Sequence, residues 1–281
     1  MEIEIFEKIQ NENIDMVRFV LDGAPLELAN SLRRVILSEV PCMAIDEVIF
    51  LDNDSPLYDE IIAHRLGLIP LTTDLENYNM PDECSCGGTG CTLCQSELTC
   101  SIKAELGETV VLSKDLIPAD VKIKPVKDDI VIVKLNKNNN LEFEAYARLG
   151  RGKDHAKWQP VSTIGYGYFP NVEINTKLCK NCKDKCIAAR RCPEKVIIFN
   201  DKNKQAEMKQ DYWKDCTICE SCSKYCPENA IKVSYIKNKY VFVIEGTGTL
   251  PIKTIMEKSV EILLKKVEAL ENLLDDKQLF P

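Results

Sequence analysis

The residues most able to do chemistry in this sequence are its fourteen cysteines, and they are grouped rather than spread. Cys42 stands alone, five fall between Cys84 and Cys100, and eight fall between Cys179 and Cys226. The second half of the eight-cysteine block reads Cys216-x2-Cys219-x2-Cys222-x3-Cys226-Pro227, the spacing of a 4Fe-4S site. Three thiolates two residues apart can wrap one tight turn and reach three irons of a cube, with the fourth ligand supplied from elsewhere. The first half reads Cys179-x2-Cys182-x3-Cys186-x5-Cys192-Pro193. It has one extra residue before its third cysteine and two before its fourth, which leaves open a 3Fe-4S site there. By residue type alone, eight thiolates also suit two tetrahedral zinc sites. The doubled run and the two Cys-Pro pairs favour iron and sulfide.

A separate knot, Cys84-x-Cys86-x4-Cys91-x2-Cys94, carries Gly87, Gly88 and Gly90 between its ligands. Those glycines let the backbone turn tightly enough for four thiolates to converge, the ligand set of a closed zinc site. The alternative is a reduced loop without metal. Cys100 reads as a separate thiol, and Cys42, between Pro41 and Met43, as a packed core residue.

The elements that must position these groups follow from periodicity. Residues 1 to 22 alternate as two half-buried strands joined by a turn at Gln10 to Asn13. Pro25 then opens a helix with Leu28, Leu32, Val35 and Ile36 at helical spacing, ended near Val40 by Pro41. Asp59 to Leu66 reads as a short helix, and Val131 to Leu135 with Leu141 to Ala147 as a hairpin. Tyr240 to Glu245 is a strand apolar on both faces. A last helix runs from about Ile252 to Leu274, with Thr249 as cap and Pro251 in its first turn. Met256, Val260, Leu263, Val267, Leu270 and Leu274 recur along it at spacings of three and four. One reading is a core helix lying on the chain's own sheet; so long a helix with so broad an apolar surface favours one that also packs on a second chain.

Composition limits what else the chain can be. At 45% apolar and 28% charged residues it is a folded protein of more than one domain, not a disordered one. A net charge of −8 gives no global field for phosphates, so no direct nucleic-acid contact is expected. No apolar run reaches the ~20 residues of a membrane span, and the N-terminus lacks the pattern of a signal peptide. The expected location is the cytoplasm, where cysteines serve as metal ligands rather than disulfides. The two histidines, His64 and His155, have no nucleophile at a telling spacing. Gly165-x-Gly167 and Gly246-x-Gly248 lack the third glycine of a dinucleotide loop. No aspartate triad for magnesium is visible, so no catalytic residue is assigned.

The eight-cysteine block resembles the two-cluster ferredoxins, in which the fourth cysteine of each run serves the other cluster. That resemblance implies one cluster on Cys179, Cys182, Cys186 and Cys226, and a second on Cys216, Cys219, Cys222 and Cys192. The rest of the chain resembles the α-like subunits of DNA-directed RNA polymerase, in the archaeal form that carries a ferredoxin-like insert. The matching stretches are Leu28 to Pro41, Met43 to Asp46, Tyr58 to Leu71, Ala147 to Gly150, Gly152 to Pro160 and Gly246 to Pro251, in family order over nearly the whole chain. The knot resembles the zinc loop of the eukaryotic counterpart, with its middle spacing one residue longer.

The resemblance implies an α+β fold split in sequence. A dimerisation domain would combine residues 1–42 with 240–281, and an inserted α+β domain 43–170 with 228–239. Residues 171–227 would form the ferredoxin-like iron–sulfur domain. It further implies pairing with the small subunit L through Leu28, Leu32, Arg33, Val35, Ile36, Met256, Val260, Leu263, Val267 and Leu270. That pair would be a platform for subunits N and P and the large catalytic subunits, and the clusters would staple a module too small for a good core. The competing function is an electron-transfer subunit of an oxidoreductase, supported by the cysteine module alone.

Overall fold

The computed structural model of the chain describes residues 1–11, 15–179, 186–200, 202 and 205–276. In chain order the elements are β1 (Glu2–Gln10), β2 (Asp15–Asp22), α1 (Leu26–Ser38), β3 (Pro41–Asn53) and α2 (Asp59–Gly67). Then come β4 (Gln95–Lys103), β5 (Thr109–Leu112), β6 (Ile117–Pro118), β7 (Val131–Leu135), β8 (Asn140–Arg151) and β9 (Val161–Ile174). The chain ends with α3 (Ile187–Arg191), β10 (Ile197–Asn200), β11 (Gln205–Met208), α4 (Ser221–Lys224), β12 (Ile231–Gly246) and α5 (Ile252–Asp276). The fold is mixed α and β with antiparallel pairing in the sheets whose registers are known.

Two compact units divide the chain. One comprises residues 1–7, 18–29 and 165–243, the other residues 8–17, 30–164 and 244–281. In the first, aromatic side chains form the core: Phe19 stacks on Phe242 at 5.1 Å, and Tyr166 lies 5.2 Å from Phe242. The sheet order is β1-β2-β12-β9. Residues 161–170 and 231–239, which the family resemblance groups with the inserted domain, lie in β9 and β12 of the sheet that holds β1 and β2. The sequence boundary at 170 falls inside β9. A change of domain leaves no mark when one continuous strand carries the chain through it.

The small β10-β11 ribbon and helices α3 and α4 frame the cysteine module. Its anchor is Trp213, three residues before Cys216. The indole stacks on Phe169 of β9 at 5.1 Å and meets the edge of Phe6 of β1 at 4.8 Å. Arg18 of β2 donates to the Lys214 carbonyl at 2.5 Å and pairs with Glu7 at 2.9 Å.

The second unit is built on the sheet β3-β8-β4-β6. Every second residue of β8, from Leu141 to Leu149, is buried in its core with Met43, Ile62, Leu66 and Leu98. β7 and β8 are both strands, as their patterns predict, but they do not form a hairpin. β8 is paired on both edges, with β3 and β4, so β7 pairs with β5 instead. α5 begins at Ile252, which places Pro251 and not Thr249 immediately before it. The Thr249 hydroxyl lies 3.0 Å from that of Thr247. Among the described residues no helix is long and apolar enough to cross a membrane.

Candidate metal centres and interaction surface

The knot brings its four sulfurs together. Cys84 and Cys86 lie 3.5 Å apart, Cys86 and Cys94 3.5 Å, Cys84 and Cys91 3.6 Å, and Cys91 and Cys94 3.7 Å. These separations are far too long for a disulfide bond of ~2.05 Å. They fit a tetrahedron around one ion: thiolates at ~2.3 Å from zinc stand ~3.8 Å from one another. No other His, Cys, Asp or Glu joins the set among the described residues.

Local sequence explains the convergence. Gly88 and Gly90 adopt φ of +80° and +93°, and a Cβ on Gly90 would strike the Gln95 carboxamide. The Cys94 and Gln95 amides donate to the Cys91 carbonyl at 3.0 and 2.9 Å, closing the knuckle. Gln95 accepts from Arg148 at 3.1 Å, and Arg151 pairs with Glu83 at 3.2 Å, so both ends of the loop are tied to β8. Hydrogen bonds from Cys94 and Cys84 draw the Cys86 thiol down to about 6, while burial pushes Cys94 up to about 12. A cation bound by these thiols would displace their protons. Cys100 is buried apart from the knot, its thiol pushed up to about 12 by burial. Cys42 is the packed core thiol its neighbours imply, 3.7 Å from the Thr73 hydroxyl.

In the eight-cysteine block, Cys192, Cys216, Cys219 and Cys222 line one narrow cavity, walled by Pro193, Val196, Met208 and Val233. Burial, then the charges of Cys192 and Cys219, push the Cys216 thiol up; Cys222 is raised by burial and by the same group of thiols. Cys219 is exposed, and Ser221 beside it draws its thiol down. Ile218 and Glu220, on either side of Cys219, take φ of +55° and +58°. Left-handed backbone costs a non-glycine residue ~1–2 kcal/mol. Of the remaining set, Cys179, Cys186 and Cys226 are buried. They share a core with Ala188, Ala206 and Ala230. The amides of Ala206 and Ala230 donate to the sulfurs of Cys179 and Cys226 at 3.3 and 3.4 Å. Cys182 lies outside the described residues.

The interface residues expected from the sequence fall into two groups. Leu32, Val35 and Ile36 are buried within the chain, so their apolar surface is already used. Arg33 is half-buried and donates to Asn30 at 3.1 Å; Leu28, beside it on α1, is exposed. On α5, Met256 and Leu263 are half-buried, whereas Val260, Val267 and Leu270 are 47%, 63% and 58% exposed. Leu264 and Leu273, outside that periodic row, are exposed beside it. His64 and His155 line one open cleft with Asp46, Glu60 and Lys157, and no Ser, Thr or Cys lies among the lining residues. Lys157 is used internally. Its ammonium meets Asp46 at 2.6 Å and sits 4.3 Å over the Trp158 ring.

Residues 45–170 match the RNA polymerase Rpb3/RpoA insert domain, and together with the relatives below this defines the class: an α-like RNA polymerase subunit. Whole-chain relatives narrow it. The chain is 36% identical to DNA-directed RNA polymerase subunit Rpo3 of Methanosphaera stadtmanae over 282 residues, covering 99% of this chain and 100% of the relative. It is 40% identical to the Rpo3 of Archaeoglobus fulgidus, with 99% of both covered. With the Rpo3 of Pyrococcus horikoshii it shares 38% identity, covering 94% of this chain and 96% of the relative. The chain belongs to the Rpo3 family of DNA-directed RNA polymerase subunits. It is a non-catalytic subunit of a multi-subunit complex, and the complex is the enzyme.

Proposed function

We propose that this chain is the α-like assembly subunit of a cytoplasmic archaeal RNA polymerase, in the form with a ferredoxin-like insert. It pairs with the small subunit L and presents a platform for subunits N and P and the large catalytic subunits. The observation that carries this reading is the exposed row Val260, Leu264, Val267 and Leu270 on a 25-residue helix. A contiguous apolar surface of that length is stable in water only when another chain covers it. The test is co-expression with and without subunit L. The chain alone self-associates, and L restores a discrete heterodimer; a well-behaved monomer that ignores L refutes the reading.

The metal sites serve that platform as staples. The ferredoxin-like module would hold one 4Fe-4S cluster on Cys216, Cys219, Cys222 and Cys192, and another on Cys179, Cys182, Cys186 and Cys226. The first assignment is supported by the cavity those four residues share. The knot of Cys84, Cys86, Cys91 and Cys94 would hold one zinc, supported by its sulfur spacing. When bound, each metal group supplies cross-links that a module of this size cannot replace with apolar burial. Exposure of Cys219 favours a second reading, in which the clusters pass electrons. Replacing Cys219 with Ser separates the two: loss of polymerase assembly without a reductase defect supports the staple, and the reverse supports electron transfer.

A further inference from the structure

The outer face of the sheet β3-β8-β4-β6 carries several carboxylates that form no ion pair among the described residues. Glu142, Glu144, Tyr146 and Arg148 alternate along β8 with buried residues, so all four stand on that face. Register sets Tyr146 between Glu47 of β3 and Glu97 of β4, and Glu144 between Ile49 and Thr99. Ile49, Leu51 and, on β6, Ile117 are exposed at its margins. The face's one cation on β8, Arg148, is already held by Glu47 at 3.1 Å and Asp46 at 3.9 Å. Among the described residues, Glu97, Glu142 and Glu144 form no ion pair. Like charges on adjacent positions of a sheet cost stability, so this arrangement is unfavourable until a cation lies between them.

Beside the row, Tyr78, Tyr146, Glu97, Asp120, Gln95 and Ser96 line a recess of about 820 Å³ against the knot loop. Ser96 is 4% exposed, and its hydroxyl interacts with that of Tyr78 without making a hydrogen bond of good geometry. Tyr78 donates to Asp120 at 2.9 Å, and Tyr146 to Glu144 at 2.8 Å. The hydrogen bond to Glu144, burial and the charges of Glu144, Glu97 and Glu47 together push the Tyr146 hydroxyl above its usual range. Tyrosine rings attract cations through their faces. Carboxylates take a guanidinium fork in paired, charge-assisted hydrogen bonds, and the Ser96 hydroxyl supplies one more acceptor.

We propose that this face seats a basic segment of another polypeptide of the assembled polymerase, with one arginine or lysine entering the recess between Tyr78, Tyr146, Glu97 and Asp120. Exposed Ile117 and Ile49 receive the apolar residues flanking that cation. The inference rests on membership in the polymerase, not on which chain covers α5 or which metals are bound.

Carbodiimide-activated labelling of carboxylates with a small amine, read by mass spectrometry, tests it. Labelling is compared between the complete polymerase and the smallest soluble form of the chain. Glu97, Glu142 and Glu144 should label about tenfold more slowly in the polymerase, while Glu108, outside the face, labels equally. The chain carrying Glu97→Lys and Glu144→Lys should fold at least as stably, because repulsion on the face is relieved, yet be displaced from the polymerase at moderate salt. Equal labelling in both states overturns the proposal. Protection accompanied by normal retention of the charge-reversed chain also overturns it, since the covering surface is then not basic. Should the charge-reversed chain unfold, Glu97→Gln with Glu144→Gln serves instead, read by the same loss of retention.

Discussion

Replacing Trp213 with Leu should loosen the cysteine module without unfolding the rest of the chain. The indole makes two ring contacts, stacked on Phe169 at 5.1 Å and edge-on to Phe6 at 4.8 Å, and sits 5.4 Å from the Lys214 ammonium. Leu keeps much of the apolar area but none of the ring geometry. Aromatic pairs contribute ~0.5–1.5 kcal/mol each beyond area burial, so two of them give ~1–3 kcal/mol. That energy belongs to local opening, because Trp213 ties the segment leading to Cys216 onto β1 and β9. An opening equilibrium shifted by ~1–3 kcal/mol speeds amide exchange about 5- to 150-fold. Hydrogen exchange read by mass spectrometry on the full chain measures it. Peptides spanning residues 212–222 should exchange faster by that factor, while those of β8 stay protected. Unchanged exchange near Cys216, or equal acceleration in β8, would show that this ring pair is not the module's anchor.

Other outcomes follow from single sites. Val267→Glu with Leu270→Glu should abolish pairing through α5 while leaving the unfolding midpoint within error, since both side chains are exposed; size-exclusion chromatography with subunit L checks it. Zinc uptake by the knot should weaken as pH falls through about 6, where the Cys86 thiolate gains a proton that zinc must displace. Proton release on binding should therefore rise by ~0.8 between pH 7 and pH 5, measured calorimetrically in buffers of different ionisation heat; a constant count would sink this. Cys192→Ala should lower bound iron from about eight to about four per chain, and retention of all iron would separate Cys192 from the cavity it shares with Cys216. Gly90→Ala should reduce zinc occupancy, because the new methyl displaces Gln95 from Arg148; metal analysis of the purified variant decides.

Much of the local structure is written in short-range pattern. Pro25 and Pro41 bracket α1, the apolar recurrence gives α5, and the cysteine spacing finds the knot, because caps, breakers and chelate loops act over a few residues. Pairing is different. β7 and β8 look like a hairpin from their own residues, and only competition for the edges of β8 by β3 and β4 sends β7 to β5. The same holds for β9, a continuous strand that runs through residue 170, where the family resemblance ends the inserted domain.

Sites show the same division. Spacing identified which cysteines come together in the knot, since eleven consecutive residues with three glycines can close on themselves. It could not place Cys192 with Cys216, Cys219 and Cys222 without borrowing a family pattern, because the long stretch between Cys192 and Cys216 must fold first. Nor could periodicity tell Leu32, Val35 and Ile36 from Val260, Val267 and Leu270: both rows are apolar at helical spacing. The sequence by itself determined which residues are apolar, which can ligate metal and where helices start and stop. Tertiary structure alone decided which apolar rows stay in water and which carboxylates share one open sheet face, because burial depends on what the rest of the chain leaves uncovered.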